Sequence, residues 1–197
     1  MSDPTILEWV NATLQGDQDA FAEIVYTFQD AVYNLCYRML GERTEAEDAS
    51  QEAFLRAYMN LHRYDQDRSF NTWVLTIASN HCIDRIRKRK MLLLSIDEPL
   101  PANMALASDD PQPERVAEMN ERSKQVQELI DTLPEDYRLA VVLRYWYDYS
   151  YAEIADVMET SESAIKSRLF RARKMLADHV DDSGMQDEPP SRLMEGN

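Results

Sequence analysis

The sequence predicts an all-α protein built from two small helical domains that a flexible linker joins. Three observations lead to this fold class. Only four of the 197 residues are glycine. Apolar residues recur at intervals of three and four, and no segment alternates β-branched and polar residues between turn clusters. Finally, four prolines fall within residues 92–113, a stretch that cannot continue a helix and is therefore the predicted linker.

Four helices are predicted in the first domain, which we place at residues 1–91. Asp17 is a favourable residue for the start of the second helix, and Gly41 is a favourable residue for its end. The approximate bounds of the four helices are Pro4–Leu14, Asp17–Leu40, Thr44–Leu61 and Phe70–Lys90.

The second domain is placed at residues 114–177 and is also predicted to contain four helices. Their approximate bounds are Glu114–Asp131, Pro134–Tyr147, Ser150–Met158 and Ser161–Ala177. Ser150 and Glu153 have the spacing of a capping box, and the last two helices follow each other as in a helix-turn-helix. The acidic tail, residues 178–197, contains Gly184 and two prolines, and we expect it to be disordered.

The net charge of −15 at first argues against a nucleic-acid partner, because contacts to phosphates need lysine and arginine. The charge is unevenly distributed, however. Residues 61–90 carry seven basic and three acidic side chains, and residues 161–174 carry five basic and one acidic, whereas the rest of the chain is acidic. Two compact basic segments predict two separate DNA contacts, with acidic surfaces left for another partner.

Several other classes of protein are disfavoured. Cys36 and Cys82 lie far apart in helical patterns, which predicts buried thiols in a reducing compartment and no zinc site. The histidines His62, His81 and His179 are scattered, and we find no spacing typical of a nucleophile with its base or of metal ligands. We therefore expect no enzyme activity, cofactor or metal. The lack of a long apolar run and of a signal peptide predicts a cytoplasmic protein.

The third predicted helix presents two different faces. The first is a stripe of small and apolar residues expected in the core: Ala46, Ala49, Ala53, Phe54, Ala57, Tyr58 and Leu61. The second face, which we call the docking stripe, consists of Asp48, Gln51, Glu52, Leu55 and Met59. A solvated polar face is the ordinary explanation of such a pattern. Exposed Leu and Met beside two acids are instead typical of a protein-docking surface.

The fourth predicted helix combines an apolar stripe with a row of polar residues. We call this the polar row: Thr72, Thr76, Asn80, Ile83 and Arg87. It leads into a basic run and would suit a nucleic-acid strand. Tyr64 and the polar loop that ends at Ser69 come just before the helix, where an extruded base could be held by stacking and edge contacts. Phe70 and Trp73 are expected in the core.

The last predicted helix separates apolar from basic residues. Its expected buried stripe is Ile165, Leu169, Ala172 and Leu176. The opposite side carries small polar and basic residues: Ser163, Lys166, Ser167, Phe170, Arg171 and Lys174. Recognition helices use such residues to reach base edges in the major groove and to contact phosphates.

Five motifs follow one another along the chain. They are Asp48-Ala49-Ser50-Gln51-Glu52-Ala53-Phe54, Phe70-Asn71-Thr72-Trp73, Leu133-Pro134-Glu135, Ser150-Tyr151-Ala152-Glu153-Ile154-Ala155 and Lys166-Ser167-Arg168-Leu169-Phe170-Arg171-Ala172-Arg173. In this order they resemble the extracytoplasmic-function (group IV) sigma factors of bacterial RNA polymerase. The resemblance covers about residues 5–177. It implies that the first domain is sigma region 2 and that the second domain is sigma region 4.

The resemblance also implies partners and roles. The docking stripe would bind the coiled coil of the largest polymerase subunit, and the second domain would meet the polymerase flap. The minus-ten element would be read by Tyr64, Ser69, Thr72, Thr76, Asn80 and Arg87. The minus-35 element would be read by the basic side of the last helix, including Arg168; these seven residues, Ser163, Lys166, Ser167, Arg168, Phe170, Arg171 and Lys174, form the recognition face. An anti-sigma partner in a stress or envelope response is further implied.

Two other functions were weighed against this one. A helix-turn-helix regulator with a sensing N-terminal half would not need a second basic segment or an exposed docking stripe. A helical hydrolase or nuclease would need a catalytic constellation, and we find none in the sequence.

Overall fold

The computed structural model describes residues 3–95 and 114–183, and these residues form eight α-helices and one short 3₁₀ turn, Leu61–Arg63, without a strand. The all-α prediction is confirmed. The helices are α1 Pro4–Leu14, α2 Gln18–Leu40, α3 Arg43–Asn60, α4 Phe70–Ser95, α5 Glu114–Asp131, α6 Glu135–Trp146, α7 Tyr151–Val157 and α8 Glu162–Ser183.

The helix ends form where the sequence places capping residues. The Asp17 carboxylate accepts hydrogen bonds from the backbone N–H groups of Asp19 and Ala20 at the start of α2. Gly41 ends α2 with a φ of 80°, a left-handed conformation that favours glycine. At the start of α7, Ser150 and Glu153 form the predicted capping box, in which each side chain accepts the backbone N–H of the other.

Two helices extend further than predicted. Helix α4 continues to Ser95, and so the first four residues of the predicted linker are helical. Helix α8 continues to Ser183, and the expected disorder of the tail is therefore wrong for residues 178–183. In both places no glycine or proline interrupts the helix, since Pro99 and Gly184 lie beyond its last residue. The remainder of the linker and tail, residues 96–113 and 184–197, lies outside the described residues.

Helices α1 to α4 form the first domain. The four alanines of α3, Ala46, Ala49, Ala53 and Ala57, are fully buried, and their small side chains allow α3 to pack closely against α2 and α4. Phe70 is buried as predicted, whereas Trp73 is only partly buried. Tyr58, expected in the core, is 41% exposed, and its ring packs edge to face against the partly buried Phe21.

Helices α5 to α8 form the second domain, with α6, α7 and α8 in mutual contact. The predicted apolar stripe of α8 is buried: Ile165, Leu169, Ala172 and Leu176 are all below 9% exposure. It packs with Leu139, Leu143 and Ile154 of α6 and α7. The predicted helix-turn-helix is therefore present as α7 and α8.

The two domains pack directly against each other, and their buried residues form one continuous apolar cluster. Helix α6 lies against α2 and α4, and α7 lies against α4. Arg138 of α6 donates a hydrogen bond of 2.5 Å to the carbonyl oxygen of Met39, at the end of α2. The Tyr147 hydroxyl donates to the carbonyl oxygen of Ala31 at 2.5 Å. The sequence did not predict this contact between the domains.

Arg138 is the most deeply buried cation of the interface, with 9% of its surface exposed. It also pairs with Asp131, with 2.8 Å between Nη1 and Oδ1. Burial lowers the pKa of Arg138 and raises the pKa of Asp131, and in both cases the attraction of the partner opposes this change. A Cβ atom at Gly41 would lie 2.8 Å from Oδ2 of Asp131, and so glycine at this position also makes room for the second domain.

No helix within residues 3–95 and 114–183 is long and apolar enough to cross a membrane.

Candidate protein-docking and nucleic-acid surfaces

The docking stripe lies on the outer side of α3, opposite the buried alanines. Leu55 and Met59 are 54% and 66% exposed, and Asp48 and Gln51 are also exposed. Glu52 differs because its carboxylate accepts a hydrogen bond of 2.7 Å from Nε of Arg56, which lowers the pKa of Glu52. The five residues thus form one open surface on which two apolar side chains lie among acids.

His81 of α4 is partly buried near Glu52 and Arg56 of α3, and sequence reasoning did not single it out. Its Nε2 atom is buried and has no hydrogen-bond partner among the described residues. Burial and then the nearby Arg56 and Arg85 lower the pKa of His81. An isolated histidine in a helical pattern gives no signal of this environment, because Arg56 comes from another helix, α3, and only Arg85 lies on the same helix as His81.

The polar row lies on the side of α4 that faces the second domain. Asn80 and Arg87 are exposed, Thr72 and Thr76 are half-buried, and Ile83 is buried with 8% exposure. The hydroxyl of Thr76 donates to the carbonyl oxygen of Thr72 at 2.8 Å. The predicted residues therefore share one face, as their spacing requires, but the second domain covers part of that face.

Tyr64 is buried, with 8% exposure, although it was expected to contact DNA. Its ring packs against Phe70 at 5.1 Å and Trp73 at 5.2 Å between centroids. Its hydroxyl donates to the carbonyl oxygen of Arg68 at 2.6 Å. The buried Tyr64 ring is therefore better placed to support the exposed loop of residues 65–68 than to stack on an extruded base. Ser69 is half-buried, and its carbonyl oxygen accepts the N–H of Trp73 in the first turn of α4.

The recognition face is open along most of α8. Phe170 is 67% exposed, and five further residues of the face are exposed: Ser163, Lys166, Ser167, Arg171 and Lys174. The ammonium group of Lys166 lies 5.7 Å from the ring centroid of Tyr151 in α7. The Ser161 hydroxyl accepts the N–H of Ala164 and so caps the helix. Most of this surface is available to a DNA groove in the arrangement seen here.

Arg168 is the exception on the recognition face. Its side chain is only 28% exposed and lies 3.8 Å from Oδ2 of Asp136 in α6. It borders a groove of about 450 Å³ between the domains, which Asn80 and Arg87 of α4 and Met158 also line. The structure thus brings one residue of the recognition face next to the polar row.

Among residues 3–95 and 114–183, no group of three His, Cys, Asp or Glu side chains is arranged to hold a metal ion. Cys36 and Cys82 are both buried. The hydrogen bond between the two thiols, together with burial, raises the pKa of Cys82. A thiol whose pKa is raised in this way is a poor nucleophile and a poor metal ligand at neutral pH.

Comparison with known proteins gives two family matches. The family model for Sigma-70 region 2 matches residues 24–91, and the model for Sigma-70, region 4, matches residues 123–176. One similar protein, "ECF RNA polymerase sigma factor SigW" of Bacillus subtilis (strain 168), is 40% identical over 173 residues, which are 85% of this chain and 92% of the relative. "ECF RNA polymerase sigma-E factor" of Escherichia coli (strain K12) is 32% identical over 186 residues, 91% of this chain and 95% of the relative.

Two solved structures are similar in fold. One is that of CnrH in complex with the cytosolic domain of CnrY, with a TM-score of 0.64, 23% identity and coverage of 91% of this chain and 99% of the other. The second is that of the sigma factor RpoE in complex with the anti-sigma factor NepR from Bartonella quintana, with a TM-score of 0.64, 20% identity and coverage of 82% and 96%.

Proposed function

The chain belongs to the extracytoplasmic-function sigma factors of RNA polymerase, and from this membership we propose how its surfaces divide the work of transcription initiation. We propose that it binds core RNA polymerase through α3, reads the minus-ten element through α4 and reads the minus-35 element through α8. It does so in the cytoplasm, without a cofactor and without catalytic chemistry of its own.

The proposed domains follow the predicted boundaries. Residues 1–91 act as region 2, residues 92–113 as the linker, residues 114–177 as region 4, and residues 178–197 as an acidic tail. Because α4 continues to Ser95, the linker can begin to bend only after that residue.

The docking stripe is proposed to bind the coiled coil of the largest polymerase subunit. Exposed Leu55 and Met59 supply apolar area, and Asp48 and Glu52 supply charge that a basic partner would neutralise. Exposing Leu55 and Met59 costs little free energy in the unbound chain, because the neighbouring acids keep this surface hydrated until the partner covers it.

The exposed end of the polar row is proposed to read the melted minus-ten strand. Asn80 offers both a donor and an acceptor to base edges, and Arg87 offers a cation to the backbone. Thr72, Thr76 and Ser69 extend this surface toward the loop that Tyr64 supports.

The recognition face is proposed to enter the major groove of the minus-35 element. Lys166, Ser167 and Arg171 can reach base edges, and Lys174 can contact a phosphate further along the helix. Phe170 offers an exposed apolar surface to a thymine methyl group. Region 4 would contact the polymerase flap through a part of its surface that lies outside α8.

An anti-sigma factor is proposed as a further partner. Two structures of similar fold are complexes, one with the cytosolic domain of CnrY and one with the anti-sigma factor NepR. By analogy, a protein of this class would hold the chain inactive until a stress or envelope signal releases it.

One observation supports this proposal above the others: a single chain presents an acidic and apolar face on α3, a polar row on α4 and a basic face on α8. The test is run-off transcription with purified core polymerase on genomic fragments, followed by mapping of start sites. The double variant D48K/E52K should weaken core binding by several kcal/mol if these charges are desolvated in the complex, and its helix content should stay normal. An unchanged affinity in a titration with core polymerase would contradict the role of the stripe.

A further inference from the structure

The loop of residues 65–68, just before α4, forms a closed turn although every residue in it is exposed. The N–H of Arg68 donates to the carbonyl oxygen of Asp65 at 3.0 Å, which closes a four-residue turn. Oδ1 of Asp65 accepts the N–H of Asp67 at 3.1 Å, and Oδ2 lies 3.6 Å from Nε of Arg68. These local contacts define the shape of the turn and place Gln66 and Asp67 at its tip.

Two further hydrogen bonds attach this turn to the rest of the first domain. At its base, the hydroxyl of the buried Tyr64 donates to the carbonyl oxygen of Arg68 at 2.6 Å. At its tip, Nε2 of Gln66 donates to Oδ1 of Asn11 in α1 at 3.0 Å. A turn that is held at its base alone can still tilt at its tip. The bond to Asn11, 55 residues earlier in the chain, therefore fixes the direction of the tip.

Asn11 lies in the last turn of α1, and this helix is a firm support. Val10, beside Asn11, is fully buried, and Ile6 and Thr13 of α1 are buried as well. The helix packs along α2 and against the 3₁₀ turn that leads into the loop. The N–H of Gln15 donates to the carbonyl oxygen of Asn11, which keeps the backbone of this residue in the helix. The Asn11 amide thus offers Gln66 an acceptor in a fixed position.

The bond to Asn11 also fixes the plane of the Gln66 carboxamide. A carboxamide carries a donor and an acceptor and can recognise the edge of a base. To do so it has to be held to within about 0.5 Å of the productive position. A glutamine that is ordered before the base arrives also avoids part of the entropy cost of binding.

We propose that Asn11 is a positioning residue for the reading of the minus-ten element, which holds Gln66 so that the loop meets an extruded base in one orientation. The proposal rests on the function proposed above for α4 and the loop that Tyr64 supports. Asn11 acts through Gln66 and does not itself contact DNA. Helix α1 thereby takes part in promoter specificity, although it carries none of the residues proposed above to bind DNA or polymerase. Loss of the acceptor at position 11 relaxes the choice of base without preventing transcription.

The first experiment measures base preference at the minus-ten element. Holoenzymes are assembled from core polymerase and the full chain, and the templates carry each of the four bases at each minus-ten position. A 2-aminopurine at a fixed downstream position reports the rate of strand opening, and the ratio of rates between the best and the next base is the preference. In N11A the preference should fall by about fivefold at one position, as expected for the loss of one hydrogen bond. The preference at the other positions should stay normal.

Two further variants separate positioning from a general loss of structure. N11D keeps an oxygen acceptor at the same position and should retain the preference, since its added charge acts on all templates alike. N34A is the matched control, because it removes an exposed asparagine amide from α2 about 24 Å along the helix from its first residue. Alanine is a better helix former than asparagine, so N11A should not lower the unfolding temperature. Rates in N11A that fall by the same factor on every template would overturn the proposal.

The double variant N11A/Q66A tests whether Asn11 acts through Gln66. Q66A should lower the preference at the same position as N11A, and the addition of N11A to Q66A should cause no further loss, because residues that share one contact are coupled. Additive losses would overturn the proposal, since Asn11 would then act by another route. A normal preference in N11A, together with a lowered preference in Q66A, would overturn it as well.

The last measurement uses the full chain without polymerase. NMR relaxation of the backbone amides of Gln66 and Asp67 should give lower order parameters in N11A than in the parent chain, and parent values in N11D. Unchanged order at the tip of the loop in N11A would overturn the proposal. Failure of the proposed function has a different signature: Q66A and N80A holoenzymes then keep the base preference of the parent, although N11A still loosens the tip of the loop.

Discussion

Helices α4 and α8 each carry a cluster of basic side chains, yet the protein exposes these clusters differently. The recognition face of α8 is open because its apolar stripe occupies one side of the helix only, and that side packs on α6 and α7. Helix α4 is packed on two sides, against α2 and α3 within its own domain and against α6 and α7 of the other. A basic segment in the sequence therefore predicts a surface for DNA, whereas the packing of the helices decides how much of that surface is exposed.

The largest expected effect concerns Arg138, which forms hydrogen bonds across the interface between the two domains. R138Q removes a buried cation that contacts Met39 and Asp131, and it leaves the Asp131 carboxylate with the hydrogen bond from Gln127 but without its cation. We expect the free energy of unfolding to fall by about 3 kcal/mol, in the range seen when one member of a buried ion pair is removed. Urea unfolding followed by circular dichroism measures this. R122Q, at an exposed position on α5, is the control and should change stability little.

The next prediction separates the two helices that we propose to read DNA, and it concerns the open recognition face of α8. K166A or R171A should weaken duplex binding by the holoenzyme at the upstream element by about 1–3 kcal/mol for each lost base contact. Strand opening at the downstream element should be nearly normal once the complex has formed. Filter binding and footprinting on a mapped promoter provide the measurement, and normal upstream protection in both variants would argue against a reading role for α8.

The complementary change on α4 should affect a later step. N80A removes an exposed amide of the polar row, and we expect slower strand opening, by about tenfold or about 1.4 kcal/mol in the barrier, with closed-complex binding nearly normal. Permanganate footprinting over time follows the opening. Identical defects in N80A and K166A would contradict the proposal that α4 and α8 act at different steps.

The smallest expected effect concerns pH. The hydrogen bond from Lys90, followed by other contacts, lowers the pKa of Glu135 to about 2, from an ordinary value of 4.5. The carboxylate therefore stabilises the folded chain fully above the ordinary value, and this contribution is lost as the pH falls from there toward 2. The difference in unfolding free energy between the parent chain and E135Q should be at most about 1 kcal/mol at pH 7, because its partners are exposed, and it should shrink at about pH 3. A difference that stays constant between these pH values would refute this account.

Sequence alone determined the local structure of this protein with few exceptions. Capping residues, apolar periodicity and glycine at Gly41 act within a few residues of each other, so the ends of α1 and α2 and the capping box of α7 could be predicted. The same holds for the faces of α3 and α8, since a helix of known period fixes which side chains lie on one side. The ends of α4 and α8 were placed too early because composition indicated a linker and a tail before any residue that stops a helix.

What only the tertiary structure decided is how surfaces from distant parts of the chain meet. Tyr64 is held by Phe70 and Trp73, and Glu135 lies beside Lys90, 45 residues earlier in the chain. Periodicity assigns a residue to the polar row of α4 but does not reveal that α6 and α7 pack over that row. Such contacts depend on the apolar area that two separate helices bury together and on side-chain geometry at their interface, and neither quantity is contained in the spacing of residues within one helix.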